Sequence, residues 1–287
     1  MLASLVSKTA SLRRAFYLTV FELSSTALWF SMFPVSKISD WAKSHCDGDY
    51  KLNIFKYYFL GLIGAANAVT VIGLSYLLFA MHFPVYLAAV LGAIAYPLMS
   101  GGIHLDGLSD TIDALLAYNK DKFQVLTDPH CGALGSVYTN LFTFAQVAIY
   151  ATLLFLWLTT GVPAYLPILL SAVAARVGSF YILMDYYPKC HPQHLEHLFP
   201  AYHPIESLEL GYNIYCLALP ILAGVLMILF PSTIVPLAVA SVATIFVSGV
   251  ILPVIVRNLG LIYGDVLGTC ILLTELFSCF ALVPFYA

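Results

Sequence analysis

Five stretches of this chain, 57–81, 83–100, 135–159, 211–230 and 232–256, contain no Asp, Glu, Lys or Arg, and two more, 163–184 and 266–286, contain one each. A run of about 20 apolar residues matches the helix length that crosses the hydrocarbon core of a bilayer. In that medium every backbone N–H and C=O must be bonded within the chain, so such runs fold as helices. The expected fold is all-α: a polytopic transmembrane helix bundle of about seven spans, in one integral-membrane domain over residues 1–287. Composition agrees, with 61% hydrophobic and 9% charged residues, where soluble domains carry about a quarter charged.

Two segments fit the span template poorly. Segment 16–35 is apolar and aromatic but holds Glu22 and Pro34, and reads as an N-terminal interfacial helix. Segment 105–117 is too short and acidic to cross. It reads as a re-entrant or surface helix lining a cavity, where polar groups are tolerated at depth. Segment 36–56 reads as a loop. If it is cytoplasmic, seven crossings put every Lys and Arg except Arg176 on that side, as the positive-inside distribution requires. The expectation is a multi-pass protein of a bacterial or archaeal cytoplasmic membrane, active on its cytoplasmic face. The six cysteines form no CxxC pair and read as free thiols.

The charge this chain avoids elsewhere gathers between Gly101 and Gly135, in GGIHLDGLSDTIDALLAYNKDKFQVLTDPHCGALG. Asp106, Asp110, Asp113, Asp121 and Asp128 lie there, out of 15 acidic residues in all. On a helix, positions 106, 110 and 113 fall within roughly 60° of one another. Carboxylates on one face repel unless a cation sits against them, and carboxylate oxygens suit a hard cation such as Mg²⁺. Asp106 and Ser109 can instead cap the helix start. His104 precedes them, after the helix-releasing pair Gly101-Gly102.

Further candidates lie outside this helix. Asp128 sits before the next span, whose entry is flanked by Gly132 and Gly135; a Gly-containing turn at a helix N-terminus can seat a phosphate, or be an ordinary turn. Arg257, Gly264, Asp265 and Glu275 form a second group, in RNLGLIYGDVLGTCILLTEL. Acids and bases within a span are functional candidates by default. Arg176 can contact a phosphate or pair with an intramembrane acid. His191, His194, His197 and His203 lie in a proline-broken segment and read as a solvated loop rather than a zinc site.

The run GGIHLDGLSDTIDALL, then Asp128 with GALG, then RNLGLIYGDVLG with Glu275, resembles the cobalamin synthase (adenosylcobinamide-GDP ribazoletransferase) family over nearly the whole chain. The resemblance implies an Mg²⁺-dependent membrane transferase that joins α-ribazole, or its 5′-phosphate, to adenosylcobinamide-GDP and releases GMP. It implies Asp106, Asp110 and Asp113 as metal ligands, and Asp128 and Asp265 as catalytic residues that complete that site or orient the nucleophile, one of them accepting the proton of the ribazole hydroxyl. His104, His130, Gly132, Gly135, Arg176, Arg257 and Gly264 become candidate substrate or phosphate contacts. The expected partners are those two substrates and the lipid bilayer, and no nucleic acid; a homo-oligomer is compatible with this. The chain departs from the family pattern at several places: near Phe30-Ser31, in Gly260-Leu261-Ile262-Tyr263-Gly264-Asp265, at Leu272 where an acid is usual, and in the loop that holds Asp128. Where the loop usually reads Asp-Ser-Arg-hydrophobic-Gly, this chain has Asp128-Pro129-His130-Cys131-Gly132.

Two other readings use the same carboxylates. A CDP-alcohol-type phosphotransferase also clusters Asp around Mg²⁺, but its motif requires an Arg absent after Asp106-Gly107. A cation-coupled transporter is expected to carry an inverted repeat, and none is visible.

Overall fold

The computed structural model describes residues 16–17, 19–20, 23, 36–45, 59–118, 121–126, 128, 130–186, 224–225, 228, 231–260 and 264–286. Among these it is mostly helical, with turns and short loops between the helices and no strand. The helices are α1 (Ser36–Ser44), α2 (Leu60–Ala80), α3 (Val85–Met99), α4 (Ile103–Leu116), α5 (Lys122–Leu126), α6 (Ala133–Thr160), α7 (Leu166–Tyr186), α8 (Ile234–Phe246), α9 (Leu252–Leu259) and α10 (Gly264–Tyr286).

Four described helical segments are long and apolar enough to cross a membrane: α2, α6, the run Ile234–Leu259, and α10. A fifth crossing arises if the bent pair α3 and α4 is one broken span. The all-α membrane bundle stands, but seven spans are not reached among the described residues; expected span 211–230 and the histidine segment lie almost wholly outside them. Exposed Leu62, Phe144, Ile245 and Phe280 suit a lipid-facing surface, since lipid requires no polar coat.

Three sequence expectations need correction. Segment 36–56 is not loop throughout, because α1 occupies its first nine residues. Its Ile38 and Trp41 fall three apart and so share one helix face. The expected span 83–100 is a 15-residue helix that stops at Met99. The chain then turns 71° into α4. Gly101 and Gly102 make that turn at φ of 68° and 72°, a region that side chains with a Cβ rarely enter. Finally, the run Ile234–Leu259 is interrupted by one π-helical turn, Val247–Ile251. Pro253 follows it; proline has no N–H to return to the preceding turn, and a wider turn absorbs the mismatch.

Of the four candidate spans, α10 is the most enclosed, with α4, α6, α7 and α8 packed around it. One apolar cluster joins Ala68, Ala93, Tyr150, Leu154, Ile168 and Cys279. A second, holding Ala114, Leu126, Val247, Leu252, Ile255 and Val266, lies under the acidic helix. This second cluster joins α4, through Ala114, to the first turns of α10, through Val266 and Cys270.

Candidate functional site

The acidic helix meets α10 at a backbone contact. A Cβ on Gly107 would stand 2.7 Å from Asp265 Cα and 2.9 Å from Asp265 O, so only glycine permits the approach. Thr269 reinforces the junction. Its hydroxyl lies 3.2 Å from Gly107 O, 3.1 Å from Thr111 Oγ1 and 2.9 Å from Asp265 O. This crossing sets Asp265 beside Asp106 and Asp110, although some 150 residues separate them in sequence. The charges of Asp106, Asp265, Asp113 and Asp128 all act on Asp110, in that order of strength, and Asp106 acts on Asp265. Asp106 is exposed, while Asp110 and Asp265 are half-buried. Carboxylates this close repel when ionised, and the repulsion grows as water is removed.

Asp113 has another partner. Its Oδ2 accepts the Gly132 N–H at 2.8 Å and its Oδ1 accepts the Gly135 N–H at 2.9 Å. Helix α6 begins at Ala133 without a side-chain cap of its own. Its first N–H groups have no intrahelical acceptor, and a carboxylate from α4 supplies one. Gly132 and Gly135 therefore do not offer a free phosphate seat; their N–H groups are held by Asp113. The Cys131 thiol sits 3.0 Å from both Ser109 Oγ and Ser136 Oγ, tying the loop to α4 a second time.

The remaining candidates separate into two places. Asp128 and His130 lie on the exposed loop leading into α6, with His130 Nδ1 2.7 Å from Asp128 Oδ1 and the His130 N–H donating to the same oxygen at 3.0 Å. Arg257 is exposed in the last turn of α9, which packs under α4 through Ile255 and Leu259. Gly264 is exposed at the start of α10. Asp121 caps α5 by accepting the Phe123 N–H at 2.9 Å.

Arg176 is not at the acidic face. It is 1% exposed, and its Nη1 donates to Glu275 Oε1 at 2.6 Å and to Ala172 O at 2.9 Å. Tyr96 OH donates to the same Glu275 oxygen at 2.7 Å, and Gln146 Nε2 reaches the other at 3.4 Å. Glu275 thus joins α3, α6, α7 and α10 inside the bundle. The phosphate role for Arg176 gives way to the ion pair, because an arginine buried in an apolar interior needs an opposite charge. His104 is likewise enclosed, at 2% exposure, with its ring against Gly268, so it is no surface contact for substrate. Sequence reasoning missed Tyr96, Gln146 and Thr269, which are uncharged residues in apolar runs and leave no mark on a hydropathy profile.

Among the described residues, no three His, Cys, Asp or Glu side chains converge as a ready-made metal cage. The donor chemistry of Asp106, Asp110 and Asp265 nonetheless fits a hard cation. Mg²⁺ keeps several waters and takes one or two carboxylates plus substrate phosphates, rather than a closed protein cage.

An apolar helix bundle with carboxylates from two helices gathered at one end is a multi-pass membrane enzyme in outline. The family profile of cobalamin-5-phosphate synthase matches residues 22–283, and the chain belongs to that family. It is a transferase of cobalamin biosynthesis, as the sequence reading expected. One relative, from Clostridium acetobutylicum, is an adenosylcobinamide-GDP ribazoletransferase. It is 28% identical over 225 residues, covering 76% of this chain and 79% of the relative. No solved structure matches. Membership decides against the CDP-alcohol phosphotransferase and transporter readings.

Proposed function

We propose that this enzyme transfers α-ribazole, or its 5′-phosphate, onto adenosylcobinamide-GDP and releases GMP, at the cytoplasmic face of the cell membrane. The observation that carries the reading is the junction of α4 and α10, where Gly107 lies on the Asp265 backbone and brings Asp106, Asp110 and Asp265 together. In a chain of this family, such a junction suits the pyrophosphate of a nucleotide-activated substrate.

Asp106 and Asp110, with Asp265 across from them, would hold the Mg²⁺. When bound, the ion neutralises charge on the pyrophosphate and on the departing GMP. Asp113 works beside them as the anchor of the α6 entry. Exposed Arg257, in the last turn of α9, would meet a phosphate oxygen. The hydroxyl of ribazole forms the new P–O bond, and the bond to the GMP oxygen breaks.

The test uses purified full-length protein in lipid nanodiscs, with adenosylcobinamide-GDP, α-ribazole and MgCl₂. The expected result is stoichiometric GMP and a ribazole-linked corrinoid, lost in D110N while membrane insertion is unchanged. Full activity of D110N would remove the cation role of this helix. Absence of GMP from the native protein, together with failure to complement a cell lacking cobalamin synthase, would overturn the reaction itself.

A further inference from the structure

We infer that Asp128 and His130 form a catalytic dyad: His130 Nε2 takes the proton from the attacking hydroxyl, and Asp128 orients the ring. The inference rests on the ribazole-transfer reading above and adds the residue that accepts the proton.

The argument begins with the loop. It is fixed to the acidic helix at two points, by Gly132 N–H donating to Asp113 and by Cys131 Sγ against Ser109 Oγ. His130 is the residue immediately before these contacts, so its backbone is tied to the acidic helix through Cys131 and Gly132. The charge of Asp128 also acts on Asp110, as the weakest of the four carboxylates that do.

The ring orientation follows from hydrogen-bond chemistry. Asp128 Oδ1 is 2.7 Å from His130 Nδ1. An ionised carboxylate can only accept, so the proton of the neutral ring resides on Nδ1. The lone pair is then on Nε2, pointing away from Asp128. The backbone N–H of His130 donates to the same oxygen at 3.0 Å, which fixes the carboxylate as well. The His130 side chain is 89% exposed, leaving Nε2 open to an incoming hydroxyl. A histidine with one nitrogen bonded to a carboxylate and the other open is the base-plus-orienter arrangement of nucleophile activation.

The other carboxylates are already committed. Asp113 uses both oxygens on N–H groups of the α6 entry, and Asp106, Asp110 and Asp265 face one another, where the cation belongs. The step balances. The hydroxyl oxygen bonds to the phosphorus attached to the cobinamide arm, its proton passes to His130 Nε2, and the P–O bond to GMP breaks with both electrons going to the GMP oxygen. Protonated His130 is then stabilised by Asp128 until it releases the proton to water. Among the described residues, the titratable group against this ring is Asp128 on its own loop.

The test follows GMP release by the full-length protein in nanodiscs as a function of pH. H130Q keeps a donor toward Asp128 but cannot accept the proton. It is expected to lower kcat by about 10²-fold or more with KM little changed, and to lose the acid limb of the kcat/KM profile. That limb arises because a histidine base works only when neutral and is lost as pH falls. H130A should regain activity with added imidazole, which the exposed position admits; a merely structural histidine would not respond. D128N should fall between native and H130Q. Native-like kcat and pH profile in H130Q, or no imidazole response in H130A, overturns the dyad while leaving the ribazole-transfer reading standing. A native protein that releases no GMP overturns both.

Discussion

Glu275 accepts from Arg176 at 2.6 Å and from Tyr96 at 2.7 Å, with the two charged side chains no more than 1% exposed. A charge so enclosed is stable only with its partner. Removing one member leaves the other buried and unpaired, which costs about 3–5 kcal/mol, whereas replacing both by apolar residues of similar volume is often neutral or better. E275A is therefore expected to lose most of its folded fraction, and the double variant R176M/E275L to recover it. Unfolding in mixed micelles, compared across native, single and double variants, checks this. Equal destabilisation in single and double variants would contradict it.

Asp113 is expected to act through structure rather than as a metal ligand. D113A leaves the Gly132 and Gly135 N–H groups without their acceptor and should cost about 1–2 kcal/mol, the range of a lost helix cap in a partly buried setting. The Mg²⁺ concentration giving half-maximal GMP release should stay near native. A large rise in that concentration in D113A would return Asp113 to the metal.

Repulsion among the acids yields a readout independent of catalysis. Without divalent cation, D110N should melt higher than native protein, because the group it neutralises is acted on by four other carboxylates. On adding MgCl₂, native protein should gain stability by mass action, and D110N should gain less. Differential scanning fluorimetry with and without chelator measures both arms. An identical Mg²⁺ shift in the two proteins would place the cation elsewhere.

The α4–α10 contact should tolerate no side chain at Gly107. G107A puts a methyl 2.7 Å from Asp265 Cα, where backbone must move; overpacking of this kind costs about 1–3 kcal/mol. Because it moves Asp265 away from Asp106, kcat should fall further than stability alone explains. Gly73, with nothing within 4 Å of an added Cβ, is the control, and G73A should be within about 1 kcal/mol of native or better. Paired turnover and unfolding measurements on the two variants separate a packing effect from a general intolerance of alanine.

The helices themselves were largely legible in the chain. Uncharged apolar runs led to α2, α6, the Ile234–Leu259 segment and α10 with ends displaced by a few residues, because lipid leaves an apolar run no alternative to a helix. The acidic helix was legible from Asp106, Asp110 and Asp113 at helical spacing, and it runs from Ile103 to Leu116. Less legible was the reach of 83–100, since hydropathy continues across Met99 while the two left-handed glycines redirect the backbone.

What each acid does was beyond the sequence. Asp106, Asp110 and Asp113 are alike in spacing and chemistry, yet one caps α6 while the other two face Asp265. Arg176 was readable either as a phosphate contact or as half of an ion pair, and the packing of α7 against α10 chose the pair. Hydrophobicity and local spacing are properties of the chain and act at short range, so residue order determined an acidic, helical membrane protein. Partnerships such as Asp113 with Gly132, Gly107 with Asp265 and Arg176 with Glu275 depend on which helix faces meet. That was decided only in the tertiary structure, where close packing and the cost of burying unpaired charge leave one arrangement.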